Sequence, residues 1–112
     1  MTVIYKITTK QAWAAAEARG IFTGAGVDVA DGFIHFSSAE QVAETAMRYF
    51  HGQPDLVLVA VDAPALGDAL KWEPSRHHDL FPHLYAELPT NAAIWVKPIA
   101  LDAEGVPQIP AL

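Results

Sequence analysis

Seven of the eight prolines, Pro64, Pro74, Pro82, Pro89, Pro98, Pro107 and Pro110, lie after residue 56. Proline fixes φ and lacks the amide hydrogen that a helix interior needs. Helices are therefore expected in the first half of the chain, and strands with irregular loops in the second. The order reads β-α-β-α and then mostly β. Such segregation argues for an α+β architecture over a doubly wound parallel sheet.

Local patterns place the elements. Val3 to Ile7 alternates as a first strand, with Val3, Tyr5 and Ile7 on one face. Thr8 or Thr9 can cap an alanine-rich helix from Lys10 to Arg19, and Gly20 stands where a C′ residue would. Ala12, Trp13 and Ala16 form its buried stripe. The stretch around Gly24 and Gly26 suits a loop or a short irregular strand. Phe33 to Phe36 reads as the next strand. Ser37 with Glu40, and Ser38 with Gln41, both have capping-box spacing for a second helix. Its expected face is Val42, Ala43, Ala46, Met47 and Phe50. Leu56 to Val61 is apolar on both faces and reads as a central strand. Leu70 to Glu73 is a short extended segment, Ser75 to Pro82 a polar loop, and Ala93 to Leu101 a further strand in which Pro98 marks an edge or bulge. Residues 1–101 are expected as one domain, and residues 102–112 as a loose C-terminal tail.

Composition narrows the function classes. Hydrophobic residues make up 52% of the 112, enough to supply a core, while charged residues at 18% are too few for a disordered chain. There is no cysteine, so disulfides, thiolate metal sites and cysteine nucleophiles are excluded. The N-terminus lacks a basic region followed by an apolar run, and no segment approaches the ~20 apolar residues of a membrane span. A soluble, cytoplasmic protein is the expectation. The net charge is −6 and lysines and arginines do not cluster in sequence, which argues against nucleic acid as a partner. A local cationic site for an anionic small molecule is compatible with that balance.

The polar chemistry gathers around two histidines. His35 sits in a hydrophobic strand directly before a helix start, and alternation puts Phe33, His35 and Ser37 on one face. Free backbone N–H groups at that helix start, with Ser37 and Ser38, could receive an anionic or carbonyl-bearing ligand. The competing reading is a core imidazole bonded to a carbonyl or to Ser37. His83 follows Phe81 and Pro82. If that piece is extended, His83 and Tyr85 share a face and line one wall of a pocket; otherwise they satisfy loop carbonyls. Glu73, beside Trp72, can orient a histidine, hold a ribose hydroxyl or act as a base, or simply make a surface ion pair. Arg76 is a candidate anion contact. His77, His78 and Asp79, with His83, invite a metal, but the spacing matches no strong signature, and a solvated loop is the plainer reading. No glycine-rich phosphate loop or serine nucleophile elbow is present.

Four pieces, Gly32-Phe33-Ile34-His35-Phe36-Ser37-Ser38-Ala39-Glu40-Gln41, Leu56-Val57-Leu58-Val59-Ala60-Val61-Asp62, Leu70-Lys71-Trp72-Glu73 and Leu80-Phe81-Pro82-His83-Leu84-Tyr85, together resemble the DUF952 family of small bacterial proteins of unknown function. The resemblance runs from Ile4 to about Leu101. One departure is Ala86, where the family commonly has glycine. The resemblance further implies a distant relation to the ADP-ribosyltransferase fold. In that fold a split antiparallel sheet makes a cleft for NAD, a strand histidine contacts the nucleotide, an aromatic stacks on nicotinamide, and a glutamate often orients the attacking group. By that analogy His35 matches the strand histidine. Glu73, Glu87 and Glu104 are all eligible on charge, and no motif places any of them. The expected architecture is thus a small split antiparallel β-sheet with two helices in the N-terminal half. The leading functional expectation is a His-lined cleft for NAD or a related nucleotide. The alternative is a non-catalytic module for a metabolite or a protein.

Overall fold

The valine-rich run from Leu56 lies at the centre of the molecule, paired on both sides and covered on both faces. A computed structural model describes residues 2–112. Among these residues the elements follow as β1 (Val3–Thr9), α1 (Lys10–Arg19), β2 (Ile21–Phe22), α2 (Val27–Asp31), β3 (Ile34–His35), α3 (Val42–Tyr49), β4 (Leu56–Asp62), β5 (Leu70–Pro74), β6 (Leu80–Leu84), β7 (Leu88–Pro89), β8 (Ala93–Leu101) and β9 (Pro107–Gln108).

All strand pairs are antiparallel. One ladder has the order β1-β4-β8-β9, a second the order β3-β6-β5, and β2 pairs with β7. The two larger ladders meet at a single bridge, Tyr5 to Ser37. Alternation along β4 sends Val57, Val59 and Val61 into a cluster with Ile4, Trp13, Ala16 and Phe22, under α1. It sends Leu56, Leu58 and Ala60 into a second cluster with Tyr5, Ile7, Val42, Ala46 and Ile99, under α3. A strand buried on both faces can be apolar at every position. That is why its sequence shows no alternation.

Several local expectations hold for the stated reasons. Thr9 caps α1, accepting from Ala12 N–H at 3.0 Å. Gly20 closes the helix at φ 84°, in the left-handed region that favours glycine. Pro98 lies where β8 is a sheet edge, because β9 covers only Ala100 and Leu101.

Five expectations are corrected. The described residues hold three α-helices in the first half, not two: the stretch expected as a loop near Gly26 forms α2, entered at Gly26 and closed by Gly32 at φ 82°. The capping box at Ser38 is half made, with Ser38 N–H donating to Gln41 Oε1, and the helix itself starts at Val42. Its buried side is rotated from the expected one: Ala43 and Met47 are exposed, and Thr45 joins Val42, Ala46 and Phe50. Finally, the segment after Leu101 is docked. Asp102 Oδ1 accepts from Glu104 N–H and Val106 N–H, the turn leads into β9, and Ile109 packs against the α3-side cluster. In addition, the loop after Ser75 is shorter than expected, since β6 begins at Leu80 and includes Pro82.

Leu58 is fully buried at the centre of this arrangement. Leu58→Ala is expected to lower unfolding free energy by about 2–5 kcal/mol, seen as a fall in the urea midpoint at an unchanged denaturant slope.

Candidate functional site

The cleft follows from the single bridge between the two ladders. Tyr5 N–H donates to Ser37 C=O at 2.8 Å and Ser37 N–H to Tyr5 C=O at 2.9 Å. Beyond that point β1 continues while the chain after Ser37 turns away into α3. Antiparallel alternation makes Ile7 the next residue of β1 whose N–H and C=O face the same edge. A cavity of about 580 Å³ opens there. Lys6 to Thr9, His35, Ser37, Thr45, Arg76 and His83 are among the residues that line it.

Asp28 organises one wall. Its Oδ1 accepts from His35 Nδ1 at 2.6 Å and from His35 N–H at 3.0 Å. Its Oδ2 accepts from Ala25 N–H at 3.0 Å and pairs with Lys6 Nζ at 2.7 Å. Both Asp28 and Lys6 are buried. Burial works against the charge on Asp28, but the hydrogen bond from His35 and the Lys6 charge outweigh it and hold the carboxyl at about 2. Burial also pushes the Lys6 ammonium down, against the opposing pull of Asp28. Gly24, at φ 108°, is required beside this carboxylate, since a Cβ there would lie 2.8 Å from Asp28 Cβ.

His35 is engaged at both ring nitrogens. Nδ1 faces Asp28, and Nε2 lies 2.9 Å from Asp31 Oδ2. Carboxylates only accept, so making both contacts takes a hydrogen on each nitrogen. The expectation that His35 bonds a carbonyl or Ser37 is replaced by this carboxylate clamp. Ser37 Oγ instead donates to Thr45 Oγ1 at 3.2 Å.

His83 differs. Its Nδ1 lies 2.8 Å from Glu73 Oε1, and Nε2 has no partner among the described residues. Tyr85 Oη donates to the same Glu73 oxygen at 2.7 Å. Those two hydrogen bonds, Tyr85 first, hold the Glu73 carboxyl below its usual range, and the carboxylate pushes the Tyr85 phenol up. β5 and β6 make this possible, because their register brings Glu73 opposite Phe81, one strand repeat from His83. β3 and β6 place His35 directly across from His83. The two rings are 5.4 Å apart between centroids. Phe33 packs on both, at 4.5 Å from His35 and 4.2 Å from His83, and reaches Tyr85 at 5.1 Å.

Arg76 lines the other end of the cavity. Its Nε lies 3.0 Å from Glu44 Oε2, its Nη2 donates to Thr45 Oγ1 at 3.3 Å, and its guanidinium sits 4.9 Å from the Phe81 ring centre. Burial disfavours the Glu44 charge, but Arg48, Arg76 and His77 together keep its carboxyl below the usual range.

Of the residues singled out from sequence, His35, Ser37, Arg76 and His83 therefore line one cavity. Glu73 and Tyr85 stand behind His83, and Ser38 is spent on the turn before α3. Glu87 and Glu104 are exposed. His77 and His78 are exposed on the loop, and no group of three or more metal-type ligands converges among the described residues. Sequence reasoning missed Lys6, Asp28, Asp31 and Thr45, and put Phe33 on the His35 face without its contact to His83. Gly26 and Gly32 bracketing a five-residue run containing two aspartates were the available signal for α2. A lysine between inward-facing positions of β1 was the signal for a buried partner.

The profile of the family described as "Protein of unknown function (DUF952)" matches residues 7–96. The chain belongs to the DUF952 family. It is similar to protein CC0527 from Caulobacter crescentus. Against the crystal structure of that protein the identity is 52%, with 96% of this chain and 94% of that one covered and a TM-score of 0.93. Against its solution NMR structure the identity is 53%, the coverage 96% and 93%, and the TM-score 0.86. No curated protein matches the chain. Among the described residues, no helix is long and apolar enough to cross a membrane.

Asp28 links the site to stability. Its carboxyl takes a proton near pH 4 in the unfolded chain but only near about 2 when folded. The stability it contributes is complete above about pH 4 and is lost as pH falls through about 2. Asp28→Asn leaves Lys6 buried without an anion and is expected to cost about 3–5 kcal/mol at neutral pH. Denaturant melts between pH 2 and 7 should show this loss, with a flatter acid limb in the variant.

Proposed function

We propose that this DUF952 protein binds a small anionic metabolite of nucleotide size in the cleft beside β1, and that His83 is the group able to move a proton there. The observation that carries the reading is the unequal state of the two histidines on one cavity. His35 has both nitrogens committed to carboxylates, whereas His83 has Nδ1 held by Glu73 and Nε2 without a partner among the described residues. An imidazole oriented through one nitrogen by a carboxylate presents the other as a base or acid. Glu73 is then a positioning residue for His83, and Tyr85 fixes Glu73.

A cavity of about 580 Å³ is within the range of small-ligand sites. The distant relation to the ADP-ribosyltransferase fold that the family resemblance implies makes a nicotinamide nucleotide the ligand to test first. The Ile7 backbone edge, Ser37, Arg76 and the Nε2 of His83 would hold it, and the group itself would supply a cleavable glycosidic bond to nicotinamide. The second reading is a non-catalytic binding module. It is favoured by the commitment of Asp28 to four donors, which leaves that buried carboxylate unavailable for chemistry.

NAD, ADP-ribose and nicotinamide, titrated separately into labelled protein, should shift the His35 and His83 ring signals and nearby amides. Absence of localised shifts at millimolar concentrations of all three would sink the proposal. Where nicotinamide release is observed, His83→Ala should reduce it by about 10²–10⁴-fold. Glu73→Gln should displace its pH profile. Binding without release selects the second reading.

A further inference from the structure

The end of the cleft away from the two histidines is electrostatically unusual. The chain has three arginines, Arg19, Arg48 and Arg76. Two of them converge on one carboxylate oxygen, Glu44 Oε2: Arg48 Nε at 2.8 Å and Arg76 Nε at 3.0 Å, with His77 Nε2 at 3.7 Å. Arg48 Nη2 also approaches His77 Nε2 at 3.3 Å. One half-buried carboxylate thus faces two permanent cations and an imidazole, in a protein whose overall charge is −6.

Arg76 is the member of this group that reaches the cavity. Its side chain is 11% exposed and lies over Phe81, with Tyr49 on its flank at 5.9 Å. Such a guanidinium is held in place before any ligand arrives, so little side-chain freedom is lost on binding. A chain of hydroxyls continues from it: Arg76 Nη2 to Thr45 Oγ1, and Ser37 Oγ to Thr45 Oγ1. Both hydroxyl residues line the same cavity, as does Ser75. The loop that presents Ser75 and Arg76 is strained, with His77 at φ 57° and His78 at φ 64°. Consecutive side-chain-bearing residues rarely adopt that region, and such strain concentrates where a segment must present a group. By contrast, the lysine that lines the cavity, Lys6, is already neutralised by Asp28.

We propose that Arg76, Thr45 and Ser37 form a subsite for a phosphoryl or pyrophosphoryl group, and that Glu44 occupies the Arg76 guanidinium until such a group competes for it. This rests on the ligand cleft proposed above and names the part of the ligand that its α3 end takes. A guanidinium with hydroxyl groups beside it suits a tetrahedral oxyanion, which offers several acceptor oxygens at once. Binding is then a carboxylate-for-phosphate exchange, and the two charge removals have opposite signs.

The test uses inorganic pyrophosphate and, separately, nicotinamide, titrated into the full labelled chain at low salt. Pyrophosphate should shift the Ser37 and Thr45 amides and the Arg76 Nε–H signal. Glu44→Gln should tighten pyrophosphate by about fivefold, the effect of one unit charge removed at about 4 Å in water. Arg76→Gln should weaken it about tenfold or more, and Arg76→Lys should recover only part of the loss. Glu44 is half-buried and lies outside both cores, so that variant keeps the test decisive if Arg76→Gln fails to fold. Nicotinamide binding should be the same in wild type and Glu44→Gln. Pyrophosphate shifts away from Arg76, no pyrophosphate binding, or equal affinity in wild type and Glu44→Gln overturns the subsite. If pyrophosphate seats at Arg76 while NAD, ADP-ribose and nicotinamide leave His35 and His83 unshifted, the subsite stands and the nicotinamide reading falls.

Discussion

A buried carboxylate with four donors holds the site together. Asp28 joins β1 through Lys6, the turn before α2 through Ala25 N–H, and β3 through both the backbone and the ring of His35. A buried lysine is costly unless paired, and a buried carboxylate is costly unless its oxygens are satisfied. Each solves the other's problem here. The His35 ring orientation and the position of α2 are then consequences of keeping that charge satisfied. Asp31, one turn along α2, completes the clamp from the solvent side.

The cleft arises from what the sheet leaves unpaired. A ladder that stops after one bridge exposes the remaining edge of β1, and edges with free backbone groups invite a partner. In this fold α3 and the loop bearing Arg76 flank that edge, so the exposed backbone lies at the bottom of a cavity and not on an open surface. The cavity is chemically graded. Its β3/β6 wall carries two imidazoles braced by carboxylates and by Phe33, and its α3 end carries a guanidinium braced by aromatic rings. The likeness to CC0527, at 52% identity over nearly the full length of both chains and a TM-score of 0.93, extends this architecture to a protein whose structure is known by experiment.

Much of the framework was legible from residues alone. Leu56 to Val61 announced a strand buried on both faces, Thr9 and Gly20 bracketed α1, and the bounds of β8 were readable from Ala93 to Leu101. A shared face for His83 and Tyr85 was readable from a spacing of two if the piece is extended, but not that both bond Glu73 and that His83 lines the cavity without Tyr85. Less legible were elements whose stability comes from elsewhere. α2 has five residues, too few to form by propensity, and it persists because Asp28 within it is bonded to three other segments. The docked segment after Leu101 depends on Asp102 closing its own turn and on Ile109 finding the α3-side core. The rotated face of α3 reflects Thr45 turning inward to Ser37 and Arg76, a polar contact that a hydrophobic stripe cannot signal.

The sequence by itself determined the class of fold, the central strand, the two histidine segments and the absence of thiol chemistry, because these depend on local stereochemistry, hydrophobic spacing and composition. Only the tertiary structure decided what each histidine does. His35 and His83 look alike in sequence, each in a hydrophobic extended segment. The difference between them is made by Asp28 and Asp31 on one side and Glu73 on the other. Asp28 and Asp31 lie seven and four residues before His35, brought back by a helix too short to predict. Glu73 lies ten residues before His83, brought back by the β5/β6 register. Hydrogen-bond partners are set by distances in space, and a ring nitrogen's availability for chemistry is a property of its partners.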